Sequence, residues 1–175
     1  MLIRIADPDR DSAFCADIYA SYVLDTSISF EYEPPNADEF ASRINASLIW
    51  LVAEQGNEIV GYAYAAQHRE RAAYQWGADA AVYVRLGAQR LGVGRGLYLD
   101  LISRCRASGL RMLCAGITQP NAASNAFHEA LGFEPVGTYR RIGWKAGAWH
   151  DVTWYQLDLA PGDLSPPTPL RFETS

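Results

Sequence analysis

The sequence predicts a single α/β (α+β) domain: a mixed, mostly antiparallel sheet with one parallel βαβ pair and helices on both faces. Three observations lead there. An apolar strand-like run ending at Val84 is followed by a glycine-rich stretch, an amphipathic helical pattern and a second apolar run over 111–117. That strand–helix–strand order makes two parallel neighbours, joined by a right-handed crossover. Runs 49–53 and 58–64 flank Gln55-Gly56-Asn57, which reads as an antiparallel hairpin. Helical stripes stand both before that hairpin and after the glycine stretch, so more than one face of the sheet must be covered.

The elements follow in order. Leu2–Ile5 is a short strand. From Asp11 to about Val23, Phe14, Ile18 and Tyr22 recur at i, i+4 and i+8, the stripe of a helix. Residues 24–35 read as irregular and end at Pro34-Pro35, and a second helix is predicted over 37–47. After the hairpin, 67–77 is a polar loop rich in arginine and aromatic residues. Strand 78–84, the glycine stretch and a helix to about Ala107 come next, the helix carrying Leu97, Leu101 and Cys105 on one face. Gly109 stops it, as glycine does past a helix end. Strand 111–117 and a helix over 121–131, stopped by Gly132, lead to strand-like runs at 135–140 and 152–159. The domain is thus drawn over 1–160. Residues 161–175 hold Pro161, Pro166, Pro167 and Pro169 with little apolar content, which predicts a loose tail.

Composition narrows the function. A chain of 175 residues can bury about two-thirds of its unfolded surface in one domain. Hydrophobic residues make up 49% and charged residues 20%, ordinary for a globular enzyme. A net charge of −5 argues against a nucleic-acid partner, which favours a basic face. Cys15, Cys105 and Cys114 are odd in number and sit in apolar-periodic segments, so they read as reduced core thiols of a cytoplasmic protein. His68, His128 and His150 show no metal-ligand spacing with them, and no metal is expected. No stretch approaches the length of a membrane span, and the amino end lacks a leader pattern.

The most informative stretch is Val84-Arg-Leu-Gly-Ala-Gln89-Arg-Leu-Gly92-Val-Gly94-Arg-Gly96-Leu97. Glycines on alternate residues at a helix start clear side chains from a place where several backbone N–H groups can converge on one anion. No Gly-Lys-Ser/Thr closes the loop, so it is not a Walker loop. Leu97 stands where a dinucleotide fingerprint needs glycine. A glycine-rich turn holding nothing is the bland alternative. The second informative stretch is Pro120-Asn121-Ala-Ala-Ser124-Asn-Ala-Phe127-His128-Glu-Ala-Leu131-Gly132-Phe133. Offsets of 0, +3 and +7 set Asn121, Ser124 and His128 on one side of a helix. Asn121 taken alone is equally a helix N-cap.

Gln89-x-x-Gly92-x-Gly94 resembles the acyl-CoA pyrophosphate loop of the GNAT-type N-acetyltransferases, and Asn121-x-x-Ser124 followed by Gly132-Phe133 is similar to a second motif of that family. Across about residues 2–159 the likeness sharpens to the phosphinothricin and methionine sulfoximine acetyltransferases. It is carried by Thr26-x-x-Ser29-Phe30-Glu31-x-x-Pro34-Pro35, Trp50-Leu-Val-Ala-Glu54, Val60-Gly-Tyr-Ala-Tyr64, Arg69-x-Arg71-x-x-Tyr74-x-Trp76, Val82-Tyr-Val84, His128-Glu-x-Leu-Gly-Phe133 and Trp149-x-Asp151-Val152.

The resemblance implies a GNAT fold and acetyl-CoA as cosubstrate. Val82, Tyr83 and Val84 of the strand would hold it, with Gln89, Arg90, Leu91, Gly92, Val93, Gly94 and Arg95 of the loop, and Asn121 and Ser124. It implies an amino-acid-like substrate whose carboxylate and acidic tail meet Arg69 and Arg71, guanidinium forks that suit oxyanions. Phe30 and Tyr74 would wall the side-chain pocket, and Glu31 could hold a polar end. The general-base carboxylate falls on Asp79, where relatives show Glu; one methylene shorter, Asp79 would act directly or through a water. His128 stands where the family often has a tyrosine that protonates the departing thiolate, and an imidazolium near pH 7 could do the same. Gln67-His68 and Ala72 replace the Pro-Phe and Pro of relatives around the Arg-x-Arg segment, which bears on loop shape and substrate range. A homodimer with the cleft near its interface is also implied.

The reading is therefore acetyl transfer by direct attack of an α-amine of the phosphinothricin, methionine sulfoximine or methionine sulfone type. Two alternatives stay open: an acetyltransferase for another amine, such as a peptide N-terminus or a polyamine, and an acyl-CoA-binding module without catalysis.

Overall fold

A computed structural model describes residues 1–56, 58–88 and 92–172. Seven strands form one sheet in the order β1-β2-β3-β4-β5-β7-β6. They are β1 (Leu2–Ile5), β2 (Ile49–Gln55), β3 (Glu58–Gln67), β4 (Gly77–Val84), β5 (Met112–Thr118), β6 (Glu134–Lys145) and β7 (Ala148–Asp158). Only β4 and β5 run parallel; the other neighbours are antiparallel. The mixed sheet with one parallel pair is as predicted.

Among the described residues four α-helices cover it: α1 (Pro8–Asp25), α2 (Ala37–Ala46), α3 (Val93–Ser108) and α4 (Ala122–Glu129). Strand side chains alternate between faces, and the two faces carry separate cores. On one, Cys15, Ile18 and Val23 of α1 and Phe40 and Ile44 of α2 pack on Trp50, Val52, Ile59 and Tyr62. On the other, Val93, Leu97, Leu101 and Cys105 of α3 pack on Leu51, Ala63, Ala78, Leu113 and Leu157. Phe127 and Leu131 join that second core from the α4 region. Gly61 lets α3 lie close on the sheet, since a Cβ there would stand 3.1 Å from Val93 and 3.0 Å from the Tyr83 carbonyl.

Three differences from the sequence reading have physical reasons. Helix α1 begins at Pro8, earlier than its apolar stripe, because Asp7 accepts from the N–H groups of Asp9 and Arg10 and proline suits a first helical turn. Strands β6 and β7 are longer than 135–140 and 152–159. They join through Ala146-Gly147, both at positive φ, so the hairpin closes in two residues. The tail, exposed and without helix or strand over most of 161–172, is nonetheless tied down near its described end. Trp76 donates to the Thr168 carbonyl at 2.9 Å, Arg171 N–H to Ser108 O at 2.9 Å, and Leu170 and Phe172 pack against the α3 core. Among the described residues no helix is long and apolar enough to cross a membrane.

Candidate active site

The parallel pair makes the site. Strands β4 and β5 are in register only at Gly77↔Met112, Ala78↔Leu113 and Asp79↔Cys114. Beyond that point β4 stays with β3 and β5 stays with β7, so the two part. The Arg85 N–H donates to Val60 O on β3. By the alternation of an antiparallel ladder, the N–H groups of Ala80, Val82 and Val84 face the opposite way, Ala80 toward the last paired register with β5 and Val82 and Val84 beyond it, along the gap. Val84 N–H finds the Tyr22 hydroxyl at 3.3 Å, and that hydroxyl donates to Val84 O at 2.6 Å.

A cavity of about 440 Å³ fills the parting, walled by Phe30, Tyr64, Asp79, Tyr83, Trp154 and Ile142 among others. Asp79 sits at the last paired register, at its inner end. Burial pushes its carboxyl above the ordinary carboxylate range, and a 2.6 Å contact with His68 Nδ1 pulls the other way. The indole of Trp154 lies over Gly116, where a Cβ would come within 3.3 Å of the ring, and its buried N–H has no hydrogen-bond partner.

Phe30 is placed from a distance. Its ring lies against Gly143 of β6 so closely that a Cβ there would fall 2.2 Å away. The loop that carries it is pinned by Lys145, 7% exposed, whose ammonium donates to Val23 O at 2.7 Å, Ser29 O at 2.9 Å and Glu31 O at 2.5 Å. All three ammonium protons are used, which a buried cation requires.

Next to the cleft, Gln67, His68, Arg69, Glu70, Arg71 and Tyr74 line a second basin of about 600 Å³. Arg71 and Tyr74 are exposed, and Arg69 donates to the His68 carbonyl at 3.1 Å. Glu31 does not join either space. Its carboxylate takes Arg43 at 2.9 and 3.1 Å and the Tyr19 hydroxyl at 2.9 Å, beside a separate aromatic pocket. The expectation that it holds a substrate's polar end is corrected on that ground: its carboxylate is committed to Arg43 and Tyr19 beside another pocket, and although burial raises the carboxyl, those partners hold it below its usual range.

Helix α3 starts on the other side of β4. Gly92 caps it at φ 80°, with no side chain bonded to the first turn, whereas Asp7, Asn36 and Asn121 cap α1, α2 and α4. Gly92, Val93, Gly94 and Arg95 thus present an uncapped helix start, a place where N–H groups and the helix dipole favour an anion. A Cβ on Gly94 would meet Val84 and Val82 of β4 and Phe127 of α4 at 3.5–4.0 Å. The start of α3 therefore lies beside the open edge of β4. Gln89, Arg90 and Leu91 lie outside the described residues. Asn121 accepts from Ser124 N–H at 3.1 Å, as an N-cap.

His128 departs from expectation. It is 5% exposed, facing Tyr98, Phe127, Phe133 and Tyr155. Its Nδ1 lies 2.8 Å from Ser124 O and its Nε2 3.1 Å from the Tyr98 hydroxyl. Burial pushes its pKa down from 6.5. Both nitrogens are engaged inside the core and the charged form is disfavoured, so the expected imidazolium donor to thiolate is corrected to a neutral, packed histidine. Four residues of the site escaped the sequence reading: His68, Gly143, Lys145 and Trp154. Only His68 carried a signal, as the odd residue before Arg69. Cys114 comes close to His68 and Asp79, the polar atoms of the three lying within 4.8 Å of one another, a grouping that sequence spacing hides.

A sheet parted beside a half-buried carboxylate and next to an uncapped helix start is a geometry that suits transfer of an acyl group. Residues 3–154 match the family described as Acetyltransferase (GNAT) domain. Phosphinothricin N-acetyltransferase of Streptomyces viridochromogenes is 38% identical over 164 residues, 92% of this chain and 88% of that protein. L-methionine sulfoximine/L-methionine sulfone acetyltransferase of Salmonella typhimurium is 32% identical over 163 residues, 91% and 95% of the two chains. The crystal structure of a GNAT superfamily phosphinothricin acetyltransferase from Sinorhizobium meliloti in complex with AcCoA matches with TM-score 0.90 and 32% identity, over 95% of this chain and 92% of that one. The chain belongs to the GNAT acetyltransferase family and is an N-acetyltransferase.

Proposed function

We propose that the chain transfers acetyl from acetyl-CoA to the α-amine of a small amino-acid-like acceptor of the phosphinothricin, methionine sulfoximine or methionine sulfone type. One observation carries the reading: the β4–β5 gap opens at Asp79, so a carboxylate with a raised pKa stands next to a strand edge whose Val82 amide faces the gap. In this reading the pyrophosphate meets the first turn of α3, and the amide-bearing arm of acetyl-CoA runs along the free edge of β4 at Val82. The motif residues Tyr83, Asn121 and Ser124 remain candidate contacts. The amine approaches through the Phe30 and Trp154 cleft, and Arg69, Arg71 and Tyr74 receive the acceptor's carboxylate and tail.

The reaction is direct attack. The substrate ammonium first loses a proton toward Asp79. Its freed lone pair then forms a bond to the thioester carbon, and an N–H of the β4 edge faces the developing oxyanion. The adduct collapses with loss of the C–S bond, and the second nitrogen proton ends on the thiolate. Cys114 comes near Asp79 but does not line the cleft, and burial pushes its thiol up, so the reading uses no cysteine-linked intermediate.

The test is a screen of amino acids, methionine sulfone, phosphinothricin, peptides and polyamines for release of free CoA thiol. Turnover confined to amino-acid analogues supports the reading, while turnover confined to peptides or polyamines removes it. Binding of acetyl-CoA with no turnover of any amine would favour a non-catalytic module. Arg71→Ala removes a charge-assisted contact usually worth about 1.5–3 kcal/mol. It is expected to raise KM for methionine sulfone at least about tenfold without changing acetyl-CoA affinity in calorimetry.

The chain is read further as a homodimer, its interface near the cleft. Support comes from the outer hairpin, where Val136, Tyr139, Ile142, Trp144 and Trp149 are exposed and where Tyr139 and Ile142 also line the cavity.

A further inference from the structure

The histidine next to Arg69 has no role in that scheme, yet it touches its central carboxylate. His68 follows β3, and its backbone N–H donates to Gly77 O at 3.3 Å, which sets it across from the start of β4. Tyr62, Tyr64, Ala66 and His68 alternate onto one face. Cross-strand partner Ala66↔Asp79 places the carboxylate on that same face. The His68 Nδ1 and Asp79 Oδ1 lie 2.6 Å apart, with side-chain exposures of 21% and 35%. The ring is held edge-on by Trp154, at 6.1 Å between centroids, and by Tyr74, at 6.3 Å. Among the described residues its Nε2 makes no hydrogen bond. His68 lines the arginine basin and Asp79 the acyl-transfer cleft, so the pair spans the wall between the two.

We propose that His68 is the group that takes the proton from the substrate ammonium, with Asp79 behind it as a positioning residue. The proposal rests on the amine-acetylation reading above and reassigns the base within it. The carboxylate accepts the Nδ1–H, which fixes the tautomer and leaves the lone pair on Nε2. Through the imidazole the short Asp79 side chain gains reach toward the amine. The step balances. Nε2 takes one proton from R–NH3⁺ and becomes imidazolium against the Asp79 carboxylate. The amine lone pair forms the C–N bond as the C–S bond breaks. The nitrogen's second proton ends on sulfur, and the imidazolium returns its proton to solvent. Around the pair, the other charged or titratable groups are Arg69, Glu70, Arg71 and Tyr74 on their loop, Tyr64 on β3, Tyr83 on β4, Tyr139 on β6 and Cys114 on β5, the last with its thiol pushed up by burial.

The experiment has two arms on the full chain. In the first, kcat/KM for the best amine found is followed with pH for wild type, His68→Phe, His68→Gln and Asp79→Asn. The dyad is expected to cost His68→Phe and His68→Gln at least about 100-fold at pH 7, with acetyl-CoA affinity unchanged. That loss shrinks at high pH, where the free amine forms unaided. Asp79→Asn costs less, and a chelator costs nothing. If His68→Phe keeps near-wild-type activity while Asp79→Asn is inactive, Asp79 is the direct base and the proposal fails. A rate abolished by chelator also overturns it. The second arm needs no substrate: nitrogen NMR of His68 at pH 8 is expected to show the proton on Nδ1, shifting to a tautomer mixture in Asp79→Asn. A proton fixed on Nε2 overturns the dyad even if no amine is turned over; inactivity of wild type toward every amine sinks the amine-acetylation reading instead.

Discussion

At the scale of single residues, function here depends on side chains whose neighbours are distant in sequence. Phe30 reaches the cleft only because Gly143 has no Cβ and because Lys145 gathers the carbonyls of Val23, Ser29 and Glu31. Gly143→Ala forces the ring aside without touching a catalytic group. It is expected to raise KM for the amine on the order of tenfold, about 1.4 kcal/mol, and to leave acetyl-CoA affinity as it was. Steady-state kinetics beside calorimetry checks it, and an unchanged KM would take Phe30 out of the pocket wall. His128 gives a second test. Burial depresses its pKa below 6.5, so the unfolded chain binds a proton that the folded chain refuses. The stability it permits is complete above pH 6.5 and is lost as pH falls below that value, by at most about 1.4 kcal/mol per pH unit. His128→Phe should therefore lose less stability than wild type between pH 7 and pH 5 in denaturant melts. Parallel curves would show that His128 does not titrate differently on folding.

At the scale of elements, local signals were legible where period and punctuation agree. The helix of α1, the glycine stop of α3 at Gly109 and the hairpin of β2 and β3 follow from residues close in sequence, although Phe14 of the predicted stripe is exposed and the buried face of α1 runs through Cys15, Ile18, Tyr19 and Val23. The extent of β6 and β7 was not legible, because most of β6 is exposed and shows no apolar alternation. Nor could spacing show that His68 faces Asp79, a contact made by register between β3 and β4. The arginine and glycine segments carried their signal in residue type and resemblance; the fate of Glu31 turned on Arg43, which no motif marks. The start of α3 offers the sharpest test at this scale. Gly92 sits at φ 80°, a conformation costing a residue with a Cβ about 1–2 kcal/mol. Gly94 has ordinary φ and room for a methyl group against Val84. Gly92→Val is expected to lower acetyl-CoA affinity about tenfold, while Gly94→Ala changes it little and both variants stay folded by circular dichroism. Equal affinity in Gly92→Val would detach the helix start from pyrophosphate binding.

At the scale of the whole molecule, the sheet divides its labour between two edges. The β1 edge is fastened by charge: Arg4 reaches buried Asp11 at 2.6 and 2.8 Å and Glu54 at 3.1 Å, tying β1 to α1 and β2. The β6–β7 hairpin at the other edge is different, because Val136, Tyr139, Ile142 and Trp144 of β6 and Trp149 of β7 are exposed. A long strand edge with an apolar face usually needs cover. Its residues Tyr139 and Ile142 also wall the cleft, so whatever covers the hairpin also narrows the substrate's path. If a second copy provides that cover, Ile142→Asp places a charge where two apolar surfaces meet and the dimer should dissociate. Sedimentation velocity is expected to show wild type as a dimer and the variant as a folded monomer. Its KM for the amine should rise while acetyl-CoA still binds, because the start of α3 packs against Val82, Val84 and Phe127, none of them in the hairpin. Wild type sedimenting as a monomer at micromolar concentration would sink the dimer, and a monomeric variant with unchanged KM would separate assembly from the cleft.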